Sequence, residues 1–265
     1  MYDARMAETG QLALPHFMRL AAHPVRWRVL TELARSDLRV RELVAMIREP
    51  QNLVSYHLRL LREGGLVTAR RSTADARDSY YRLDVERCAD AFRSSGSAIH
   101  PALLAPRTAR PLFELPRVSG VSVLFACTGN SARSPIAEAL LRNRTNGRLE
   151  VISAGSHPKS RLHPFAVRVL DEQYGIDVAD QRPRQLGALA GRRFDYVITL
   201  CDKVREVCPD VVDNRTCRAH WSIPDPAAAG GRDQPDYDEF VRTAAEIDAR
   251  VHQLLATLAA KEAQP

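Results

Sequence analysis

The stretch LFACTGNSARSP, residues 124–135, places a cysteine and an arginine six positions apart around a Gly-Asn-Ser sequence. The run that leads into it, GVSVLFAC, is almost continuously apolar and ends at Cys127, a pattern typical of a strand buried on both faces of a parallel sheet. The run that follows, RSPIAEALLRN at residues 133–143, carries the helix-start signals Ser134 and Pro135. The stretch therefore predicts a loop between the carboxyl end of a strand and the amino end of a helix.

A loop of this kind can hold an oxyanion, because its backbone N–H groups point inward at the positive end of the helix dipole. Arg133 adds a planar, two-pronged donor that suits a tetrahedral anion. The same field favours a thiolate, so we expect the pKa of Cys127 to lie below that of a free cysteine. We also expect Asn130 to tie the loop together and Ser134 to hydrogen-bond the sulfur. The predicted oxyanion-binding residues are Thr128, Gly129, Asn130, Ser131, Ala132, Arg133 and Ser134.

These residues resemble the loop of the low-molecular-weight tyrosine phosphatase fold, Cys-x5-Arg-Ser, whose relatives include one class of arsenate reductases. The resemblance extends over most of residues 120–258. Strands and helices are predicted to alternate after the loop, with strands at 152–158 and 194–200 and helices at 163–175 and 238–260. This alternation predicts an α/β domain with a small four-stranded parallel sheet over residues 119–265.

In this fold a later Asp-Pro pair supplies the general acid, which protonates the departing oxygen as the bond to sulfur forms. The matching stretch here is HWSIPDPAAAGG, and it nominates Asp225, followed by Pro226. The tyrosine phosphatases generally continue this motif with aromatic residues that wall the ring pocket. This chain continues with Ala-Ala-Ala-Gly-Gly, which leaves little for an aryl phosphate to pack against.

The stretch ITLCDKVREVCPD places Cys201 and Cys208 seven residues apart after a predicted strand. It resembles the thioredoxin-coupled arsenate reductases of this fold, in which three cysteines act in relay, and the resemblance assigns those roles to Cys127, Cys201 and Cys208. A helix over residues 202–207 would separate the last two by about 10 Å along its axis. A disulfide needs Cα atoms within about 7 Å, so the relay requires this segment to unwind on oxidation. Ala132 stands where several reductases carry a further cysteine outside the relay.

Two other functions remain open for this domain. One is a phosphotyrosine phosphatase acting on phosphate esters, and the other is a non-catalytic sensor of an oxyanion or arsenite. If Cys208 cannot reach Cys201, a low-molecular-weight thiol such as mycothiol or glutathione would replace a thioredoxin-like partner as the reductant of arsenate turnover. No step in the relay requires a metal or an organic cofactor. We expect Cys88 to lie in a core, and Cys217 has no role that the resemblance assigns.

Before residue 101 the apolar pattern is helical, and its order predicts a winged helix-turn-helix domain, mainly α with a β-hairpin wing, over residues 1–100. A helix broken or started near Pro24, a helix at 40–47 and a helix at 51–65 precede two strands, at 66–71 and 79–84, around a polar tip. Leu53, Leu58 and Leu61 are predicted to share the buried face of the third helix. Residues 101–118 carry four prolines without sustained periodicity and are predicted to form a linker.

The sequence QNLVSYHLRLLREGGLV resembles the recognition helix, and the turn into the wing, of the ArsR-type family of small bacterial repressors. Its members are usually dimers that release DNA when a metal or metalloid binds, which implies operator DNA and a second copy of the N-terminal domain as partners. The Cys-x-Cys pair of many arsenic sensors is absent from the matching helix, RELVAMI. A recognition helix enters the major groove and reads base edges with its N-terminal residues. The residues predicted to contact bases are Gln51, Asn52, Ser55 and Tyr56, and those predicted to contact phosphates are Arg59, Arg70 and Arg71.

The overall composition agrees with a regulator joined to an enzyme. The net charge of +6 arises entirely before residue 119, where 19 arginines face 13 acidic residues, and this suggests a polyanionic partner for that part. Five cysteines in 265 residues are too few for a disulfide scaffold. No apolar run approaches the roughly 18–20 residues that span a bilayer. We therefore expect a cytoplasmic protein with free thiols and no membrane partner.

Overall fold

The computed structural model describes residues 14–100, 120–207, 216–228 and 236–262. The chain divides into two compact units, one containing residues 14–69 and 80–100 and the other containing residues 70–79 and 120–262. The predicted linker lies outside the described residues, and the boundaries 1–100, 101–118 and 119–265 remain predictions. Within the ranges that the structure describes, no helix is long and apolar enough to cross a membrane.

Residues 14–100 form a winged helix-turn-helix, and all of them except residues 70–79 belong to the first unit. Its elements are α1 (His16–Ala21), α2 (Pro24–Leu33), β1 (Leu38–Arg39), α3 (Val40–Ile47), α4 (Gln51–Glu63), β2 (Val67–Arg71), β3 (Ser79–Leu83) and α5 (Val85–Ile99). The predicted break near Pro24 is confirmed, because Pro24 is the first residue of α2 and Nδ1 of His23 accepts a hydrogen bond from the Val25 amide at 3.2 Å. A proline at this position loses no helical hydrogen bond, since the first N–H groups of a helix have no partner within it.

The helix-turn-helix depends on one apolar core. Val29, Leu43, Val54 and Leu61, from α2, α3 and α4, have no exposed surface. The buried face of α4 therefore includes Val54, whereas Leu53, which was predicted there, is half-buried. The reason is spacing, because residues 54, 58 and 61 lie four and three positions apart and fall on one stripe of a helix.

The wing belongs to a three-stranded sheet in the order β1-β3-β2. Strand β1 was not predicted from the sequence, because it is two residues long and pairs with a distant strand. Leu38 lies opposite Tyr81, and Arg39 lies opposite Tyr80, in an antiparallel pair. Arg39 is also the N-cap residue of α3, and its backbone N–H donates to the Glu42 carboxylate at 2.8 Å.

The second unit is an α/β domain. Its elements are β4 (Ser122–Cys127), α6 (Arg133–Arg144), β5 (Glu150–Gly155), α7 (Pro164–Tyr174), β6 (Tyr196–Thr199), α8 (Asp202–Val207), β7 (Cys217–His220) and α9 (Tyr237–Glu262). The strands form a four-stranded sheet in the order β5-β4-β6-β7, and each neighbouring pair is parallel. The predicted four-stranded parallel sheet is therefore confirmed.

The parallel register brings three strand ends to one edge of this sheet. Cys127 lies opposite Gly155 on one side, and Ala126 lies opposite Thr199 on the other. Helix α6 packs against β4, β5 and α9, and α8 packs against β4 and β6. The carboxyl edge of an open parallel sheet is the usual place for a ligand crevice, so this edge is the place to look for chemistry.

Candidate active site and nucleic-acid interface

The loop between β4 and α6 turns its carbonyl oxygens away from its centre. Four of them accept hydrogen bonds from backbone N–H groups of the segment that follows β5. The pairs, acceptor first, are Cys127 with Ser156 at 3.2 Å, Thr128 with His157 at 2.9 Å, Gly129 with Lys159 at 2.9 Å and Ser131 with His163 at 2.8 Å. Because the N–H and C=O of a trans peptide point in opposite directions, the amides of these peptides face inward. An inward-facing set of amides is the arrangement that binds an oxyanion.

The sulfur of Cys127 lies inside this loop at the end of β4, and the residue is only 2% exposed. Its Sγ is 2.9 Å from the Ser134 hydroxyl and accepts a hydrogen bond from the Asn130 amide at 3.2 Å. The loop and the first turn of the helix therefore each place a polar group against the sulfur.

The expectation that the pKa of Cys127 lies below that of a free cysteine is wrong. Burial raises the pKa of the Cys127 thiol, and this effect exceeds the opposing effects of the Arg133 charge and the Ser134 hydrogen bond. The physical reason is depth, since removing a sulfur from water penalises the charged thiolate. The thiolate fraction of Cys127 therefore increases as pH rises.

Asn130 ties the loop to two neighbouring segments. Its backbone is in the left-handed region, with φ of 43°, a conformation that asparagine tolerates better than most residues. Its Nδ2 donates to the hydroxyls of Ser134 and Ser153 at 2.9 and 2.8 Å. Its Oδ1 accepts from the Arg184 backbone N–H at 2.7 Å.

These contacts determine where the Ser134 proton points. Glu138 is fully buried, and its carboxylate accepts a hydrogen bond from the Ser153 hydroxyl at 2.6 Å. Because the Ser153 proton is used in that bond, the Ser153 oxygen is the acceptor of the hydrogen bond from Asn130. Asn130 donates to the Ser134 oxygen as well, which leaves the Ser134 proton directed at Cys127. Neither Glu138 nor Ser153 was predicted from the sequence to belong to the site. The available signal was an acidic residue inside the apolar run IAEALL of α6.

Arg133 and Asp225 meet at the mouth of the loop. The Arg133 guanidinium donates to the Asp225 carboxylate at 2.9 Å and to the Ile223 carbonyl at 3.1 Å. Arg133 is almost wholly buried, whereas the side chain of Asp225 is about half exposed. The predicted anion-binding arginine and the predicted acid therefore lie next to each other, with the carboxylate on the solvent side.

A second buried thiol contacts the same loop. Cys201 follows β6 and lies with its Sγ 3.3 Å from the Thr128 hydroxyl. Helix α8, Asp202–Val207, begins directly after it. Cys208 lies outside the described residues, so the structure contains no geometry for the third predicted thiol.

The other two cysteines are distant from the loop along the chain. Cys88 lies on α5, half-buried against the apolar core of the first unit. Burial, with a smaller contribution from Asp84, raises the pKa of the Cys88 thiol to about 11, which makes it a poor nucleophile at neutral pH. Cys217 is exposed at the start of β7.

The predicted base-contacting residues share the exposed side of α4. They are Gln51, Asn52, Ser55 and Tyr56. Arg59 is exposed on the next turn, where its guanidinium lies 5.5 Å from the centre of the Tyr56 ring. Arg70 and Arg71 lie on β2, the first strand of the wing. Nothing in the structure tests their contact with DNA, and the assignments stay predictions.

The fold and the site together define a class of protein: a cysteine-based oxyanion loop on a parallel α/β sheet, joined to a winged helix-turn-helix. The chain belongs to the low molecular weight phosphotyrosine protein phosphatase family, whose family model matches residues 122–264. A second family model, that of the bacterial regulatory proteins of the arsR family, matches residues 23–69. Both resemblances found in the sequence are therefore confirmed.

Similar proteins cover the C-terminal half of the chain. An arsenate reductase of Halalkalibacterium halodurans is 34% identical over 135 residues, which are 51% of this chain and 95% of that protein. A crystal structure of an arsenate reductase from Archaeoglobus fulgidus is 31% identical, covers 51% of this chain and 99% of its own, and has a TM-score of 0.41. An arginine phosphatase from Geobacillus stearothermophilus is 27% identical, covers 54% of this chain and 96% of its own, and has a TM-score of 0.43.

Replacing Ser134 by alanine should raise the pKa of the Cys127 thiol, because the Ser134 hydrogen bond lowers it in the native protein. We expect the pH midpoint of Cys127 alkylation by iodoacetamide, followed by mass spectrometry, to move to higher pH. Ser156→Ala removes a nearby hydroxyl that bonds to His157, and it should leave the midpoint unchanged. An unchanged midpoint in Ser134→Ala would contradict the hydrogen bond to the sulfur.

Replacing Gly155 by alanine should distort the loop, because an added Cβ would lie 2.6 Å from the Thr128 carbonyl oxygen. We expect the free energy of unfolding in urea to fall by about 1–3 kcal/mol and the affinity for inorganic phosphate to fall with it. Gly187→Ala is the matched control, since the nearest atom to its added Cβ, Cγ of Gln185, is 4.0 Å away. Equal stability of the two variants would show that the loop does not need this glycine.

Proposed function

We propose that the chain is an arsenate reductase joined to an operator-binding repressor that controls arsenic resistance genes. The observation that carries the proposal is the second buried thiol, Cys201, whose sulfur lies 3.3 Å from the Thr128 hydroxyl of the oxyanion loop. Phosphate ester hydrolysis needs one nucleophilic sulfur, whereas reduction of arsenate needs two electrons, which a pair of thiols supplies on becoming a disulfide. The relatives named arsenate reductase, at about one third identity, support the same conclusion.

In the first step arsenate binds to the inward-facing amides of the loop and to the Arg133 guanidinium. The Cys127 thiolate attacks arsenic, a sulfur–arsenic bond forms, and one oxygen leaves as water after taking a proton from Asp225. Burial raises the pKa of Cys127, so this step should slow as pH falls. Arg133 is positioned for this role by its bond to the Ile223 carbonyl.

In the second step the thiolate of Cys201 attacks the sulfur of Cys127. A sulfur–sulfur bond forms, the sulfur–arsenic bond breaks, and arsenic keeps the electron pair and leaves as arsenite. The two thiols are oxidised and arsenic(V) is reduced to arsenic(III), so the electrons balance.

In the third step, which rests on the resemblance, Cys208 attacks Cys201 and frees Cys127. The resulting disulfide is reduced by a thioredoxin-like protein, with a low-molecular-weight thiol as the alternative reductant. Helix α8 spans Asp202–Val207, so a Cys208 at its end would have to approach Cys201 by unwinding the helix. Free thiols are maintained in the cytoplasm, and the proposal includes that location.

The second candidate function is a phosphatase that uses the same loop. Its support is the pairing of Arg133 with Asp225 at the loop mouth, which suits phosphate as well as arsenate. An aryl phosphate is disfavoured as a substrate because the chain has Ala227-Ala228-Ala229 where the tyrosine phosphatases place aromatic side chains.

We further propose that the first unit binds an imperfect palindrome as a homodimer. Its support is the exposed face of α4, in a helix-turn-helix of the arsR family. Exposed apolar side chains on α5, Phe92 and Ile99, support pairing through this unit. Two recognition helices would then read half-sites about one helical turn of DNA apart.

Three cysteine-to-serine variants test the reductase directly. Cys127→Ser should lose arsenate reduction by a factor on the order of 10⁴ or more, because the nucleophile is gone. Cys201→Ser should lose arsenate reduction but keep hydrolysis of p-nitrophenyl phosphate, which requires Cys127 alone. Cys208→Ser should lose turnover with thioredoxin. Arsenite release is measured with thioredoxin and, separately, with glutathione or mycothiol.

Cys217→Ser is the control for these variants and should behave as the wild type. Full arsenate turnover in Cys201→Ser would favour a single-thiol reductase, and ester hydrolysis by the wild type without arsenite release would favour the phosphatase. Binding of arsenate without arsenite release by the wild type would favour the sensor.

The DNA interface is tested with Arg59→Ala, which should remove one phosphate contact. We expect the slope of log affinity against log salt to decrease by about 1, with little change in sequence preference. Gln51→Ala should instead weaken binding by about 1–3 kcal/mol on selected duplexes while sparing random DNA. Binding is measured by fluorescence anisotropy, with the exposed Arg35→Ala as control. Identical salt slopes for Arg59→Ala and wild type would contradict the assignment.

A further inference from the structure

A polar cluster is buried directly behind Cys201, and none of the proposed reaction steps uses it. Asp202 and His220 have no exposed surface, and Ser222 is almost fully buried. Burying a carboxylate is costly unless hydrogen bonds compensate, and an alanine at the same place in a helix would carry no such cost. The burial of a carboxylate at position 202 therefore needs a specific explanation.

Asp202 accepts hydrogen bonds on both carboxylate oxygens. Its Oδ2 accepts from the backbone N–H and the hydroxyl of Thr73, a residue that groups with the second unit, at 2.7 and 2.9 Å. The other contacts of Asp202 connect three segments at the carboxyl edge of the sheet. Its Oδ1 accepts a hydrogen bond from the Ser222 hydroxyl at 2.6 Å and lies 3.1 Å from Nε2 of His220. Nδ1 of the same imidazole lies 2.8 Å from the Thr199 hydroxyl at the end of β6. The cluster thus joins the end of β6, the end of β7 and the first residue of α8.

The protonation of the cluster follows from these contacts. Burial alone would raise the pKa of the Asp202 carboxyl, but hydrogen bonds, including those from His220 and Ser222, outweigh it and hold the pKa well below its usual range. An ionised carboxylate only accepts hydrogen bonds, so Nε2 of His220 is the donor. Asp202 is therefore a charged, hydrogen-bonded anchor at neutral pH.

This anchor restrains Cys201 from the side that leads into α8. On the other side, the Leu200 backbone N–H donates to the Ala126 carbonyl of β4 at 2.7 Å. Cys201 is held between these two attachments, with its sulfur at the Thr128 hydroxyl. The hydrogen bonds of Asp202 to His220 and Ser222 are not made to the oxyanion loop.

We propose that Asp202, held by His220 and Ser222, is a positioning residue that keeps the Cys201 sulfur in line for attack on the arsenic-bound sulfur of Cys127. The inference rests on the proposed reductase function. The attack forms the Cys127–Cys201 bond, breaks the sulfur–arsenic bond and leaves the electron pair on arsenic. Reacting atoms must approach to about 3–3.5 Å in alignment, and a misplacement of about 1 Å costs about a hundredfold in rate.

The test uses the full chain with Cys208→Ser added, so that oxidation stops at the Cys127–Cys201 disulfide. Single-turnover formation of this disulfide with arsenate is followed by mass spectrometry, and p-nitrophenyl phosphate hydrolysis is measured in parallel. Asp202→Ala should slow disulfide formation on the order of a hundredfold and change ester hydrolysis by less than about twofold. Asp202→Asn keeps an acceptor oxygen for His220 and Ser222, but its NH2 group would face the two Thr73 donors, so it should recover only part of the rate.

Asp195→Ala is the matched control, because Asp195 is a carboxylate at the opposite end of β6 that accepts from the Ser122 amide and hydroxyl, both at 2.8 Å. It should leave disulfide formation unchanged. Wild-type disulfide rates in Asp202→Ala would overturn the proposal. An equal loss of disulfide formation and ester hydrolysis in Asp202→Ala would also overturn it, since Asp202 would then support the whole domain.

A further variant and a second oxidant complete the test. If Asp202→Ala does not fold, Ser222→Ala removes one donor to the carboxylate, and it should slow disulfide formation about tenfold while ester hydrolysis persists. Diamide oxidises neighbouring thiols without arsenate. We expect the variants to rank in the same order when the rate of disulfide formation is measured with diamide. A wild type that forms the disulfide with diamide but not with arsenate would refute the reductase function, while the diamide rates of the variants still decide the role of Asp202.

Discussion

Four hydrogen bonds from the segment after β5 turn the carbonyl oxygens of the loop outward, and the chemistry of the site depends on this constraint. The amides of the same peptides face inward as a consequence, and Cys127 and Arg133 stand at the two ends of the loop. The parallel register supplies the partners, because it places Gly155 opposite Cys127 and lets the two backbones approach closely. A sheet with another register would leave the same loop sequence without its binding geometry.

Burial has two opposing consequences at this site. It raises the pKa of the Cys127 thiol, which lowers the fraction of nucleophile at neutral pH. It also removes water from the loop, which strengthens the interaction of inward amides and Arg133 with an oxyanion. The Cys201 side chain is also buried, and Asp202 and its hydrogen-bond donors hold the backbone beside it. The site therefore combines a protected anion pocket with two sulfurs that are kept apart from solvent.

Much of the fold was predictable because long apolar runs and helical periodicity are local signals. GVSVLFAC indicated β4, and the loop after it indicated the position of Cys127 and Arg133. Strand β7 was not located, because its first two residues, Cys217 and Arg218, are exposed and it has no apolar alternation. Asn130 donates to Ser153 and accepts from the Arg184 backbone N–H. These hydrogen bonds join residues 23 and 54 positions apart, and such contacts leave no pattern in the sequence. The pKa of Cys127 was mispredicted for a similar reason, since charges can be seen in a sequence but the depth of a sulfur cannot.

The central claim is that arsenate takes its two electrons from thiols of this chain. The most direct measurement is a titration of the fully reduced wild-type protein with one equivalent of arsenate and no other reductant, with arsenite and free thiols counted together. The predicted result is one arsenite released and two thiols lost for each chain, with the first disulfide including Cys127 or Cys201. Arsenite release with all five thiols still free, or thiol loss without arsenite, would contradict the claim.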